Sequence, residues 1–170
     1  VPAVKAFYRR LKHLLTGRAA VRRAFPPASL AAIEAAIAAA ECTHAGQIRF
    51  AVEPSLEGAA LLAGQGARER AVDVFSLLRV WDTAHNNGVL IYLLLADRDV
   101  EIVADRGIHA CCGAAAWESI CERMEARFRQ GLFEQGVIEG IAAVGAQLAA
   151  HFPPGDGSNG NELPDRPVIL

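Results

Sequence analysis

No Cys-x-x-Cys pair occurs in this chain of 170 residues, although it holds four cysteines, Cys42, Cys111, Cys112 and Cys121. That spacing excludes the usual zinc and thioredoxin-like motifs. Side chains as close in sequence as Cys111 and Cys112 normally project in different directions, so the thiols read as small buried or half-buried groups in a reducing compartment. No apolar run approaches the roughly 18 residues of a membrane span. The longest strong one is Val89–Ala96, which has strand length. The basic N-terminus has neither a continuous apolar stretch nor a small-residue cleavage site, so no secretory signal is expected and the chain reads as soluble. Gly-x-Ser-x-Gly is missing, and no Lys-Ser/Thr follows Gly64 and Gly66, which argues against a nucleophile elbow and a phosphate loop. What remains is 52% apolar and 21% charged, enough apolar matter for a sizeable core.

Acidic residues are also absent from residues 1–23, which carry Lys5, Arg9, Arg10, Lys12, Arg18, Arg22 and Arg23. All 19 acids fall in the remainder, so a formal net charge of −2 hides an acidic body with a basic arm. Within the arm, Val4, Phe7, Tyr8, Leu11, Leu14 and Leu15 recur at helical spacing, and Gly17 is a natural stop. A basic amphipathic helix of this kind has three destinations. It can dock its apolar face on the acidic body or on a second copy, it can lie on an anionic membrane surface, or it can meet nucleic acid. The last is least supported, because no aromatic and basic interleaving accompanies it.

Phe25-Pro26-Pro27 breaks the chain and reads as a linker, giving a basic helical segment over residues 1–24 and a domain over 25–152. A flexible tail rich in Pro, Gly, Asn and Asp is expected over 153–170. Ser29 is a candidate cap for a helix to about Cys42 with Leu30, Ile33, Ile37 and Ala40 in one stripe. Gln47–Glu53 alternates with period two and predicts a half-buried strand closed by Pro54. Residues 55–66 read as a loop or a small helical excursion. A helix over Arg68–Thr83 follows, with Val72, Phe75, Leu78 and Trp81 among its apolar positions, then a turn at His85-Asn86-Asn87-Gly88. Val89–Ala96 is a central strand, and Asp97-Arg98 joins it to Val100–Ala104 as a hairpin. Two helices close the domain, one on Trp117, Ile120, Cys121, Met124 and Phe128, the other on Val137, Ile141, Val144 and Leu148. This order predicts an α/β class fold, a three-layer α/β/α sandwich whose small mixed sheet combines a parallel βαβ unit with a β-hairpin.

That topology gathers residues distant in sequence. One rim of the sheet collects His44, Gln47, Asp82, Asn86, Asn87, Asp105 and Arg106, and the opposite rim collects Glu53, Asp97, Arg98 and Asp99. Carboxyl ends of parallel strands favour the second group for ligands, whereas the first is chemically richer and is preferred here. Asp82, Asn87 and Asp105 are candidate ligands for calcium, which accepts carboxylate, amide and backbone oxygens. His44, Gln47, Asn86, Asn87 and Arg106 are candidate ligand-binding residues, with His44 and Arg106 the only candidates for a catalytic role.

The stretch His44-Ala45-Gly46-Gln47-Ile48-Arg49-Phe50, the segments Trp81-Asp82-Thr83 and Asn87-Gly88-Val89-Leu90-Ile91, and the run from Asp97 to Ile108 resemble the TPM-domain family. This family includes chloroplast lumen proteins of photosystem repair and many bacterial proteins, and the likeness spans about residues 25–152. It implies the same α/β/α sandwich, calcium binding and, for some members, weak acid phosphatase activity. The expectation is a non-catalytic binding or assembly module of the TPM type. It would act on the cytoplasmic side of the inner membrane through residues 1–23, or on a protein partner, including its own second copy. The alternative is a weak metal-assisted phosphatase built on Asp82, Asn87 and Asp105, with His44 or Arg106 contacting phosphate.

Overall fold

The computed structural model describes residues 2–155 and 160–170. Helices α1 (Pro2–Leu15), α2 (Arg18–Ala24) and α3 (Pro27–Glu41) precede strand β1 (Gln47–Glu53). Helices α4 (Gly58–Leu62) and α5 (Ala67–Leu77) lead to the hairpin of β2 (Gly88–Leu94) and β3 (Asp99–Ala104). Helices α6 (Arg106–Cys112), α7 (Ala114–Arg129) and α8 (Phe133–His151) follow, and β4 (Val168–Ile169) ends the chain.

The sheet order is β3-β2-β1-β4. β1 and β2 are parallel from Gln47 opposite Gly88 to Glu53 opposite Leu94, and β2 and β3 are antiparallel from Val89 opposite Ala104 to Leu94 opposite Asp99. Side-chain alternation divides the sheet into two apolar faces. Ile48, Phe50, Val52, Val89, Ile91 and Leu93 meet α2, α3, α7 and α8. Ala51, Leu90, Tyr92, Leu94 and Val103 meet α5 and the C-terminal segment. The three-layer sandwich is therefore present, with the βαβ unit and the hairpin in one sheet.

Several expectations need correction. Phe25-Pro26-Pro27 does not separate two bodies: Val21 and Phe25 are core residues, and the Phe25 ring lies 5.7 Å from Phe50 and 5.8 Å from Phe133. Pro27 starts α3 with its φ already helical and with no N–H to leave unsatisfied. Ser29 thus falls inside the first turn and donates its hydroxyl to Glu134 of α8 rather than capping. Strand β1 is buried along its whole length, because α5 and the C-terminal segment cover the face that carries its polar residues. α5 buries Ala67, Ala71 and Val74, a narrow stripe that lets the helix approach β2 and β3, and leaves Val72 exposed; it ends at Leu77, so Leu78 and the exposed Trp81 lie beyond the helix expected to reach Thr83. Helix α6 was not expected; Asp105 caps it by accepting the Arg106 N–H at 2.7 Å.

The tail is the largest departure. Val168 and Ile169 pair in parallel with Ala51 and Val52, and Leu170 N–H donates to Val52 O at 3.0 Å. Leu163 is buried against the α5 face of the sheet. Residues 160–170 thus form a strap across the β1 edge and protect it from pairing with another chain.

Candidate functional site

At the amino-terminal rim of β1 and β2 the backbone sets the geometry. Asn87 is fully buried just before β2, and its Nδ2 donates to Ala45 O at 3.0 Å while Gln47 N–H donates to Asn87 O at 3.3 Å. Asp105 ends β3 beside it, its N–H donating to Gly88 O at 2.9 Å. Asn87 and Asp105 are therefore neighbours on one rim, as the topology required. Gly88 makes this crossing possible, since a Cβ there would overlap the Val80 carbonyl oxygen.

The remaining rim residues serve the fold in different ways. Gln47 is buried, and its Oε1 accepts the N–H groups of both Glu162 and Leu163 at 2.9 Å, so the strap occupies it. His44 is 2% exposed and donates from Nδ1 to Gly46 O at 3.1 Å. Burial pushes its pKa below the ordinary value, so the ring is neutral and its Nε2 faces α8 near Gly145. Asn86 sits at φ 51° in the turn, and its carbonyl accepts the Ile108 N–H at 3.3 Å. Arg106 and Asp82 are exposed, and Asp82 lies 3.8 Å from Arg79. No hydrogen bond or ion pair among the described residues joins Asp82 to Asn87 or Asp105.

This rim does not make a good cation cage. Asn87 Oδ1 and Asp105 Oδ2 are buried without hydrogen-bond partners among the described residues. Two oxygens with one formal charge fall short of the six to eight that calcium takes. Among the described residues no three His, Cys, Asp or Glu side chains come together as a metal site.

The opposite rim carries a feature that the sequence pattern inverted. Helix α1 docks on the body through its polar side. Arg9 Nε donates to Asp97 Oδ2 at 2.9 Å and its Nη2 to Gln65 O at 3.0 Å. His13 is buried, its Nδ1 accepts the Leu56 N–H at 3.0 Å, and its Nε2 stands 3.1 Å from Asp97 Oδ2 without hydrogen-bond alignment. Successive helical residues turn by roughly 100°, so the side bearing Arg9 and His13 is opposed to that bearing Phe7, Leu11, Leu14 and Leu15. The expected docking of the apolar face is reversed: Val4, Phe7, Tyr8, Leu11, Leu14 and Leu15 all face solvent, Leu14 at 83% and Leu15 at 74% exposure. Lys5, Lys12 and Arg10 flank this stripe, all exposed. Arg9 is the only basic residue of the arm that pairs with an acid among the described residues. Among the described residues no helix is long and apolar enough to cross a membrane.

Two polar groups on the strand faces have partners that the sequence pattern did not reveal. Glu53 accepts the Tyr92 hydroxyl at 2.7 Å and a forked pair from Arg70 at 2.8 and 3.0 Å. Arg49 donates to the carbonyls of Pro164 and Arg166, which ties β1 to the strap. Glu41, at the end of α3, accepts the Ile48 N–H at 2.7 Å, and burial lifts its pKa to about 7, with the Asp165 carboxylate adding to the rise. The period-two alternation of Gln47–Glu53 marked these polar positions, but nothing local showed what would cover them.

The family model described as TPM domain matches residues 22–147. The NMR structure of BA42 protein from the psychrophilic bacterium Bizionia argentinensis is 32% identical, with a TM-score of 0.75 over 86% of this chain and 95% of that one. The N-terminal domain of a protein from P. gingivalis, also solved by NMR, is 22% identical with a TM-score of 0.56, over 71% of this chain and 76% of that one. The latter likeness is one of fold alone. No curated protein matches the chain.

Proposed function

The chain belongs to the TPM-domain family, and from that premise we propose that it is a non-catalytic binding module that seats on an anionic membrane surface through α1. One observation carries this reading: the helix spends its polar side on the body and turns its apolar stripe, flanked by Lys5, Arg10 and Lys12, to solvent. A helix of this design lies in the plane of a lipid interface, its apolar side sunk below the phosphates and its cations among them. Fully burying a Leu side chain is worth roughly 1.5–3 kcal/mol, and each cation near an anionic leaflet about 1 kcal/mol. A few such residues suffice for reversible attachment.

Flotation with vesicles tests this reading. The chain should rise with phosphatidylcholine vesicles doped with phosphatidylglycerol and remain below with phosphatidylcholine alone. A Leu14→Ser/Leu15→Ser variant should stay below in both cases with its thermal unfolding unchanged, since both side chains are exposed. Equal recovery of this variant and the parent would refute the proposal. A metal-assisted phosphatase is the rival reading. It would need Asp82 and Asp105 to act on one ion, and Asp82 instead lies beside Arg79.

A further inference from the structure

We propose that the cavity under the corner between α1 and α2 is a headgroup site for an anionic phospholipid. The inference rests on the membrane reading above and names the lipid chemistry it selects. The cavity measures about 680 Å³, within the range of small-molecule sites, and lies beyond the carboxyl end of β2, at the β2–β3 turn. Lys12, Arg23 and Arg98 converge on it from three elements, α1, α2 and the β2–β3 turn. None of the three pairs with an acid among the described residues. Asp97 also lines it, but its carboxylate is already held by Arg9 at 2.9 Å and flanked by His13. The cavity therefore offers an excess of positive charge that nothing described in the fold neutralises.

Arg98 is set in place before any ligand arrives. Its backbone sits at φ 53° in the hairpin turn, and its guanidinium stands 6.0 Å over the Phe133 ring. A cation–π contact at this distance occupies none of the guanidinium N–H donors and leaves them for an oxyanion. Ala20, Leu95 and the same Phe133 give the cavity an apolar side beside these polar groups. A phosphate oxyanion is the chemistry shared by lipid and free phosphate, and an apolar side favours the former, whose glycerol follows the phosphate. Lys12 and Thr16 line the cavity one residue after Leu11 and Leu15 of the exposed stripe. A lipid whose acyl chains lie along the stripe would thus bring its phosphate to these cations.

The test uses short-chain phosphatidylglycerol below its micelle concentration, followed by amide shifts, beside the flotation assay. Saturable shifts at Thr16, Arg98 and Gly131 are expected, and inorganic phosphate at equal concentration should leave them nearly unmoved. Lys12→Gln/Arg98→Asn keeps the helix and a side chain suited to positive φ, and should weaken lipid binding tenfold or more, the scale of a lost charge-assisted hydrogen bond. The Leu14→Ser/Leu15→Ser variant should fail to float, and should still show shifts at Arg98 and Gly131 with the soluble lipid but only at higher lipid concentration, because the acyl contact is lost and the cations are untouched. Flotation of the parent without shifts at the cavity overturns the headgroup site and leaves the membrane reading standing. Shifts at the cavity in a parent that does not float overturn the membrane reading instead. Equal shifts with inorganic phosphate overturn the lipid as the ligand.

Discussion

Glu41 makes stability depend on pH in a direction opposite to that of a salt-bridged carboxylate. Its side chain closes the junction between α3 and β1, where it accepts the Ile48 N–H and shares its surroundings with Asp165 of the strap. Burial is the main cause of its rise from 4.5 to about 7; the hydrogen bond from Ile48 and the charge of Arg49 oppose it. Since the folded value lies above the unfolded one, the folded chain holds this proton over an interval in which the unfolded chain has lost it. The stabilisation is complete below about pH 4.5 and is lost as pH rises through 7. The unscreened shift over that interval corresponds to about 3 kcal/mol, and solvent screening of a half-buried carboxylate lowers this to about 1–2 kcal/mol. Glu41→Gln keeps the acceptor for Ile48 and removes the charge. Urea unfolding at pH 4 and pH 8 should show the variant equal to the parent at the lower pH and more stable by about 1–2 kcal/mol at the higher. Amide protection at Leu163 and Leu170 should rise with it at pH 8. Burial also raises Asp99 to about 6, so a smaller slope of the same sign remains in the variant. Identical stabilities of variant and parent at pH 8 would refute the account.

Glycines at two close approaches should respond differently. Gly88→Ala drives a Cβ into the backbone oxygen of Val80, which cannot yield, and should cost about 3 kcal/mol or more in urea unfolding; Gly140→Ala meets only the flexible end of Met124 and should change stability by less than about 1 kcal/mol. Arg9→Ala removes the anchor between α1 and Asp97 and should speed amide exchange throughout α1, while the body loses only about 1 kcal/mol. Unchanged exchange in α1 would show that His13 alone holds the helix.

The central hairpin was legible because its signals are local. An unbroken apolar run demands cover on both faces, and a two-residue polar turn fixes the partner strand. The strap was not legible. Pro, Gly, Asn and Asp resist helix and strand alike, and the partners that hold residues 160–170 are Gln47, Arg49 and the β1 edge, more than a hundred positions away. The direction of α1 was misread for a related reason. Its periodicity marks an apolar side but does not state where that side points, and the usual inward choice fails because Asp97 and the Leu56 N–H offer Arg9 and His13 specific partners. The neighbourhood of Asn87 and Asp105 was legible from the topology. The hydrogen bonds that the rim side chains make were not, because the type of residue was visible and the backbone groups it meets were not.

These findings divide the two ends of the sheet by what their polar groups have left to give. At the amino-terminal rim, Gln47 holds two strap amides, Asn87 holds Ala45, His44 holds Gly46 and Asp105 starts α6. Each of these side chains replaces a secondary-structure hydrogen bond that an irregular crossing lacks. The residues that carry the likeness to the family at this end therefore specify how the chain crosses the sheet. At the carboxyl end, by contrast, Lys12, Arg23 and Arg98 line an open cavity beside an apolar stripe facing solvent. Asn87 Oδ1, Asp105 Oδ2 and His44 Nε2 keep unused hydrogen-bonding capacity at the first end but are buried, whereas the cations at the second line an open cavity and pair with no acid among the described residues. On the proposed membrane reading, anion binding is expected at the end where the basic arm meets the hairpin turn.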